Sequence, residues 1–328
     1  MGGMTTLIDV SAALAGSRTG VIVVERPDLA VLELSGADVL RYLHAVSTQH
    51  TADLRPGDAA MALLLSPKGR IEFAFRLAVL DEAVLLDTEA GAAEALAERL
   101  ARFVFRFDVR VGPTRPGAVS LLGPGADKAL AAARLPVPPA AVGGAASATS
   151  GLVAHRGELG VDLVGEQAPG TLSVLQREGV ARAPFEVWEL LRVERGLPRW
   201  GRELTDDVLA EEAGLLGSHV HLDKGCYPGQ ETVARVHNLG QVQRRLAGLR
   251  FEDSAHEAPP PGTDLAAEDG RGAGQVRSAV RHPDLGTIAL AYVRRTVAPG
   301  ERVKVGPFAA TVVELAPLRS APTASSHR

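Results

Sequence analysis

A chain of 328 residues with 46% apolar side chains, one cysteine and a formal net charge of −4 is long enough for two or three domains with ordinary cores. One cysteine excludes an internal disulfide framework and an all-cysteine zinc or iron–sulfur site within one chain, and the negative balance gives no overall attraction to nucleic acid or anionic membranes. No apolar run approaches the ~20 residues of a membrane span, and MGGMTTLIDV lacks the basic start and long apolar centre of a signal peptide, so a cytoplasmic protein is expected.

Residues 1–20 read as an N-terminal segment. Val21–Val24 and Ala30–Leu34 read as short strands, and Val39, Leu40, Leu43 and Val46 recur at helical spacing after Asp38. After an Arg55–Asp58 turn, Met61–Leu65 and the alternating Ile71, Phe73, Phe75 and Leu77 form a β-hairpin with a basic tip at Ser66–Arg70. Val84–Leu86 is another strand and Gly91–Arg102 a helix; Phe103, Phe105, Phe107, Val109 and Val111 alternate as a strand with one apolar face. Leu135–Gly151, rich in proline, alanine, glycine and serine, is expected to be a long surface loop. Leu152–His155 and Val161–Val164 bracket a second hairpin, and a helix from Pro184 runs to Gly196. From Arg244 onward, short strands between glycines and prolines predict a small antiparallel barrel or sandwich, followed by a disordered tail over 317–328. Strands and helices mix without strict βα alternation, so the class is α+β.

The chemistry centres on Lys224–Glu231, KGCYPGQE, which holds the only cysteine beside one of four lysines. Pro228 and Gly229 suit the central positions of a type II turn, which puts Cys226 at a loop edge. Lys224, His219, His221 and His237 lie near in sequence, and cationic neighbours favour a thiolate, making Cys226 a nucleophile, a metal ligand or a redox group. The competing reading is a small, partly buried apolar side chain with no chemistry. His219 and His221 on one strand face would make a three-ligand metal set with Cys226, but no fourth ligand is evident and no metal is assigned. Glu211 and Glu212 sit between apolar runs, so one carboxylate is expected to turn inward, either to an arginine or to the paired N–H donors of a flat heterocycle such as a pterin. No glycine-rich nucleotide loop opens a helix.

KGCYPGQE resembles the K-G-C-Y-x-G-Q-E signature of the YgfZ family, folate-binding proteins of iron–sulfur cluster maintenance related to the T-protein, the aminomethyltransferase of the glycine cleavage system. Ser66–Ile71 is similar to the family's D-x-K-G-R segment, Arg156–Gly160 to the T-G-E-x-G hairpin, Val193–Pro198 to the R-x-x-x-G-x-P helix end and Glu212–Leu215 to the pterin-binding segment. The likeness runs from about Leu29 to Leu315.

This resemblance implies two interlocked α+β subdomains over 21–240 around a central folate channel, covered by a C-terminal antiparallel β-barrel over 241–316. It implies tetrahydrofolate as cofactor, with Glu212 taking the pterin, Arg244 or Arg235 the glutamate tail, and Tyr227 of the signature loop among the folate contacts. Cys226 is then the reactive group, tuned by Lys224, and the function is assembly or repair of iron–sulfur clusters in client enzymes or with assembly factors, without direct nucleic-acid or membrane binding. The alternative is a folate-dependent aminomethyltransferase. Two departures weigh against it: where T-proteins carry G-G-x-x-D-D this chain offers only Glu72 as an acid, and Gln241 stands where an arginine is common.

Overall fold

The computed structural model describes residues 8–149, 151–240, 242–252 and 257–318. Gln241, the first seven residues and the expected tail beyond Leu318 lie outside them.

Helix α1 (Val10–Thr19) leads into β1 (Ile22–Glu25) and β2 (Leu29–Ser35). Then come α2 (Val39–Val46), the meander β3 (Ala59–Leu65), β4 (Ile71–Val79) and β5 (Ala83–Glu89), α3 (Ala90–Ala101), and the short β6 (Arg110–Val111) and β7 (Arg115–Pro116). The chain continues through β8 (Ala118–Leu122), α4 (Ala126–Ala132), β9 (Ala145–Thr149), β10 (Leu152–Arg156), β11 (Gly160–Val164), α5 (Ala168–Arg177), β12 (Ala181–Ala183) and α6 (Phe185–Arg195). Helices α7 (Leu216–His219) and α8 (Gln230–Leu239) precede β13 (Arg244–Phe251), β14 (Asp264–Ala267), β15 (Gly272–His282), β16 (Gly286–Arg294), β17 (Arg302–Val305) and β18 (Phe308–Val313).

Two six-stranded sheets interlock because the chain changes sheet twice. One sheet is ordered β12-β1-β8-β11-β10-β9; the other, β3-β4-β5-β2-β6 with β7 also pairing β2, is built from the segment between β1 and β8. The sheets face each other through Leu29, Val31, Ala78 and Leu85 on one side and Ala118, Val153 and Val164 on the other. Their outer faces are covered by α2 and α3 through Leu43, Leu96 and Leu100, and by α4 and α5 through Leu130, Leu172 and Leu175. The last six strands close into an antiparallel barrel, β13-β16-β15-β14-β17-β18. This is the α+β architecture expected.

Local signals account for many boundaries. The Asp9 carboxylate caps α1 by accepting from the N–H groups of Ser11 and Ala12. Gly196, at φ 74°, ends α6 and lets the Leu197 N–H return to the Arg192 carbonyl at 2.8 Å.

Two expectations are corrected. Phe103–Val111 is not a strand: only Arg110–Val111 pairs with β2, and the rest turns, leaving Phe103 and Phe105 exposed. Asp108 is held by the turn after β2, where its carbonyl accepts from the Asp38 N–H and its own N–H donates to the Asp38 carboxylate. That cap competes successfully with an extended ladder. Within the expected loop 135–151, Ala145–Thr149 forms β9, because β10 offers an open edge whose hydrogen-bonding groups would otherwise be unpaired. The helices α1, α4, α5, α7 and α8 were not anticipated.

Candidate functional site

The signature loop is built as its residues suggest. The Gln230 N–H donates to the Tyr227 carbonyl at 3.2 Å, and Gly229 sits at φ 83°, ψ −1°, the third-residue geometry of a type II turn. Gly229 then caps α8. A Cβ there would lie 2.6 Å from the Ser66 carbonyl and 3.0 Å from the Gly69 Cα, so glycine is required for close approach as well as for φ. Gly69, at φ 75°, presses in turn on Thr232. Two distant sequence motifs, the basic hairpin tip and KGCYPGQE, are thus in direct backbone contact.

Cys226 is exposed on this loop. Lys224 is buried, and its ammonium donates to the carbonyls of His44, Ser47 (2.6 Å) and Gln49 (3.1 Å) at the end of α2. A cation there complements the helix C-terminus. Burial pulls the Lys224 amine from 10.5 down to about 8. Its three donors being taken by carbonyls, the lysine anchors the loop and has no bond to give the thiol. Tyr227, also buried, presents its ring 4.9 Å from the ammonium.

The expected folate residues are found in a different arrangement. Glu212 is buried, as predicted, but its Oε2 accepts from the Leu209 N–H (3.0 Å) and from Arg244 (3.2 Å), with Arg70 at 3.6 Å. Arg244 also donates to the Asp207 carbonyl and carboxylate and lies over the Tyr292 ring. Arg244 is therefore divided between Glu212 and Asp207. Arg235 projects from the exposed side of α8, with no partner for its guanidinium among the described residues.

His219 and His221 do not share a strand face: His219 ends α7 with its Nδ1 2.8 Å from the Ser218 Oγ, and burial lowers it to about 4. His221 instead lies 5.2 Å from the His50 ring, which packs 4.6 Å from His44. Among the described residues no group of three or more His, Cys, Asp or Glu is arranged to hold a metal ion.

A cavity of about 220 Å3 opens where the two sheets meet α6, and neither Cys226 nor Glu212 lines it. Its walls are largely apolar and include Trp188 and Trp200, the only two tryptophans in the chain. Trp200 is held by its indole N–H, which donates to the Glu72 carbonyl at 2.9 Å, and by stacking on Phe73. The Arg26 guanidinium lies 3.5 Å from the centre of the Trp188 ring.

One wall is an ionic network that crosses between the sheets. Arg76 of β4 binds Asp87 of β5 and reaches Asp162 of β11 at 2.5 Å, while the Ser120 hydroxyl of β8 donates to the other Asp162 oxygen. Burial alone would raise the Asp162 pKa; Arg76, Arg26 and Ser120 outweigh it and hold it down to about 2. His155, fully enclosed 3.3 Å from Asp87, is kept neutral, its pKa lowered by burial to about 4. Near Trp188, Arg199 links Asp28, Glu89 and Glu189. Burial, partly offset by Arg199, pushes Glu89 up to about 7.

Sequence reasoning missed this network, although a signal was present: Arg76, Asp87 and Asp162 are each a charged residue inside an apolar strand run. Glu72 does not line the cavity; its carboxylate accepts from Arg99 of α3 at 3.0 Å.

Residues 244–318 match the family described as the glycine cleavage T-protein C-terminal barrel domain. The chain is 25% identical over 327 residues to a chloroplastic protein of Arabidopsis thaliana with a provisional transferase name, covering 93% of this chain and 73% of the relative. It is 26% identical over 320 residues to the tRNA-modifying protein YgfZ of Yersinia enterocolitica, covering 93% and 94% respectively. Among solved structures, the glycine cleavage system aminomethyltransferase T from Bartonella henselae superimposes with a TM-score of 0.83 at 21% identity, over 94% of this chain and 89% of that one.

Proposed function

We propose, for a chain related to the glycine cleavage T-protein and to YgfZ proteins, that it binds tetrahydrofolate in the central cavity and supports assembly or repair of iron–sulfur clusters in client enzymes through the exposed thiol of Cys226. The observation that carries this reading is the pairing of an open-mouthed, indole-walled cavity with a separate solvent-facing thiol on a turn.

The residues present fit a folate. At about 220 Å3 the cavity falls below the ~300–1,000 Å3 typical of pockets that enclose a whole drug-sized ligand. It suits the flat fused-ring head, with the aminobenzoyl-glutamate end directed outward. Trp188 and Trp200 supply aromatic walls, and a folate supplies one-carbon carriage when bound. The chain's own residues exclude water and orient the head. Cys226 lies outside the lining, so its chemistry is directed away from the cavity; the chemical step is one that an accessible thiol performs, such as relaying sulfane sulfur from a donor persulfide to an acceptor thiol, holding iron transiently, or oxidation by a peroxide to the sulfenic state with release of water or alcohol. A net charge of −4 weighs against direct nucleic-acid binding, and no helix among the described residues is long and apolar enough to cross a membrane. The proposed setting is the cytoplasm.

Aminomethyl transfer is disfavoured because Glu72, the only acid at the expected position, is paired with Arg99 away from the cavity lining. The test is complementation of cells lacking their own family member, with wild type, Cys226→Ser and Glu72→Gln. Recovery of an iron–sulfur enzyme by wild type and not by Cys226→Ser supports the proposal. Recovery of glycine cleavage that depends on Glu72 and not on Cys226 replaces it with a transferase.

A further inference from the structure

The charged groups around the cavity are not equally free to meet a ligand. Arg26 is bidentate to Asp28 and also donates to Ser120; Arg76 is divided between Asp87 and Asp162; Arg199 is divided among Glu89, Glu189 and Asp28. Both Asp162 oxygens are taken, and the second Asp87 oxygen is sealed off beside His155. Glu89 differs. Its Oε2 accepts from Arg199 at 2.9 Å, and no donor among the described residues reaches its Oε1. It closes β5, where the strand passes into α3, so its backbone is fixed from both sides.

We infer that Glu89 is the specificity-determining acceptor of the cavity, selecting a planar heterocycle whose edge carries N–H donors and rejecting isosteric rings that lack them. This rests on the folate reading and assigns to Glu89, which lines the cavity, the role that Glu212, which does not line it, cannot fill there. A carboxylate with one oxygen held by a guanidinium and the other unpaired is oriented before the ligand arrives, so a ligand N–H gains a charge-assisted bond without rotamer loss. The ionised form is the acceptor. Because burial raises Glu89 to about 7, ligand donors draw a proton off it on binding, and affinity rises as pH increases through neutrality.

The experiment uses the full chain and its own reporters. Trp188 and Trp200 both line the cavity, so quenching of intrinsic fluorescence, corrected for absorbance, reads its occupancy. Wild type, Glu89→Ala and Glu89→Gln are titrated with 5-formyltetrahydrofolate and with p-aminobenzoyl-glutamate, which lacks the bicyclic head, between pH 6 and 8. Glu89→Ala is expected to weaken folate binding by ~10–100-fold and leave the headless fragment unchanged. Glu89→Gln, which keeps the shape and guards against a folding defect in the alanine variant, is expected to flatten the pH dependence. Folate affinity within about twofold of wild type in both variants, or a wild-type affinity that does not vary with pH, overturns the inference while leaving folate binding standing. Absence of saturable quenching by either ligand in wild type instead removes the folate reading, and this inference with it.

Discussion

Replacing Lys224 with methionine separates anchorage of the signature loop from tuning of the thiol. The ammonium makes three charge-assisted bonds to carbonyls that close α2, each worth about 1.5–3 kcal/mol. Against this stands the cost of burying the charge: the drop from 10.5 to about 8 corresponds to about 3 kcal/mol. The variant also strands carbonyls that no longer have a donor. The expected net loss is about 2–5 kcal/mol, which for a chain of this size lowers Tm by roughly 5–15 °C. The assay is urea unfolding followed by tryptophan fluorescence, beside the rate at which Ellman's reagent modifies the native protein. The chain has one cysteine, so that rate belongs to Cys226 alone. Lys224→Met should lower the unfolding midpoint and change the native thiol rate by less than about twofold. A thiol rate reduced by tenfold or more at an unchanged midpoint would refute this reasoning and return Lys224 to the thiol.

Glu212→Ala removes a buried carboxylate from half-buried Arg244, which keeps Asp207, and leaves the Leu209 N–H without its acceptor; it should cost about 1–3 kcal/mol by urea unfolding, while folate quenching of Trp188 and Trp200 stays as in wild type. His155 titrates at about 4 folded against about 6.5 unfolded, so the unfolded chain binds the extra proton. Its contribution is complete above about pH 6.5 and is lost as pH falls to 4, about 3 kcal/mol in all; a His155→Gln variant should show a shallower loss of stability over that range. Asp162→Asn leaves Arg76 and Arg26 under-compensated and should cost about 3 kcal/mol, measured by unfolding, with an accompanying change in tryptophan emission. Gly229→Ala forces a Cβ to 2.6 Å from the Ser66 carbonyl at a positive φ; a loss of more than about 1 kcal/mol and faster proteolysis at the loop are expected, and unaltered protection would show that the hairpin tip is not its support.

Local features were legible wherever neighbours in sequence decide the conformation. The Pro228-Gly229 turn, the hairpin tips at Gly69 and Gly157–Gly160, the end of α6 at Gly196 and the barrel strands all follow from turn chemistry and period-two alternation. The same reasoning failed at Phe103–Val111, where a perfect alternation met a β2 edge that pairs it only at Leu34 and Ser35 and an Asp38 cap that held Asp108 in a turn. The exposed cysteine was legible too, since a turn of proline and glycine has no core to hide it in.

What the sequence by itself determined is therefore the α+β mixture, the motif loop and the inward turn of Glu212. Only the tertiary structure decided what those groups meet. Arg76 and Asp162 are 86 positions apart, Lys224 and Ser47 177, Arg244 and Glu212 32, and no periodicity specifies which buried cation finds which carbonyl or carboxylate. Burial in a low-dielectric interior makes each such group take whatever partner the packed sheets bring within reach. The partners that were used up, and the one oxygen of Glu89 that was not, are properties of that packing.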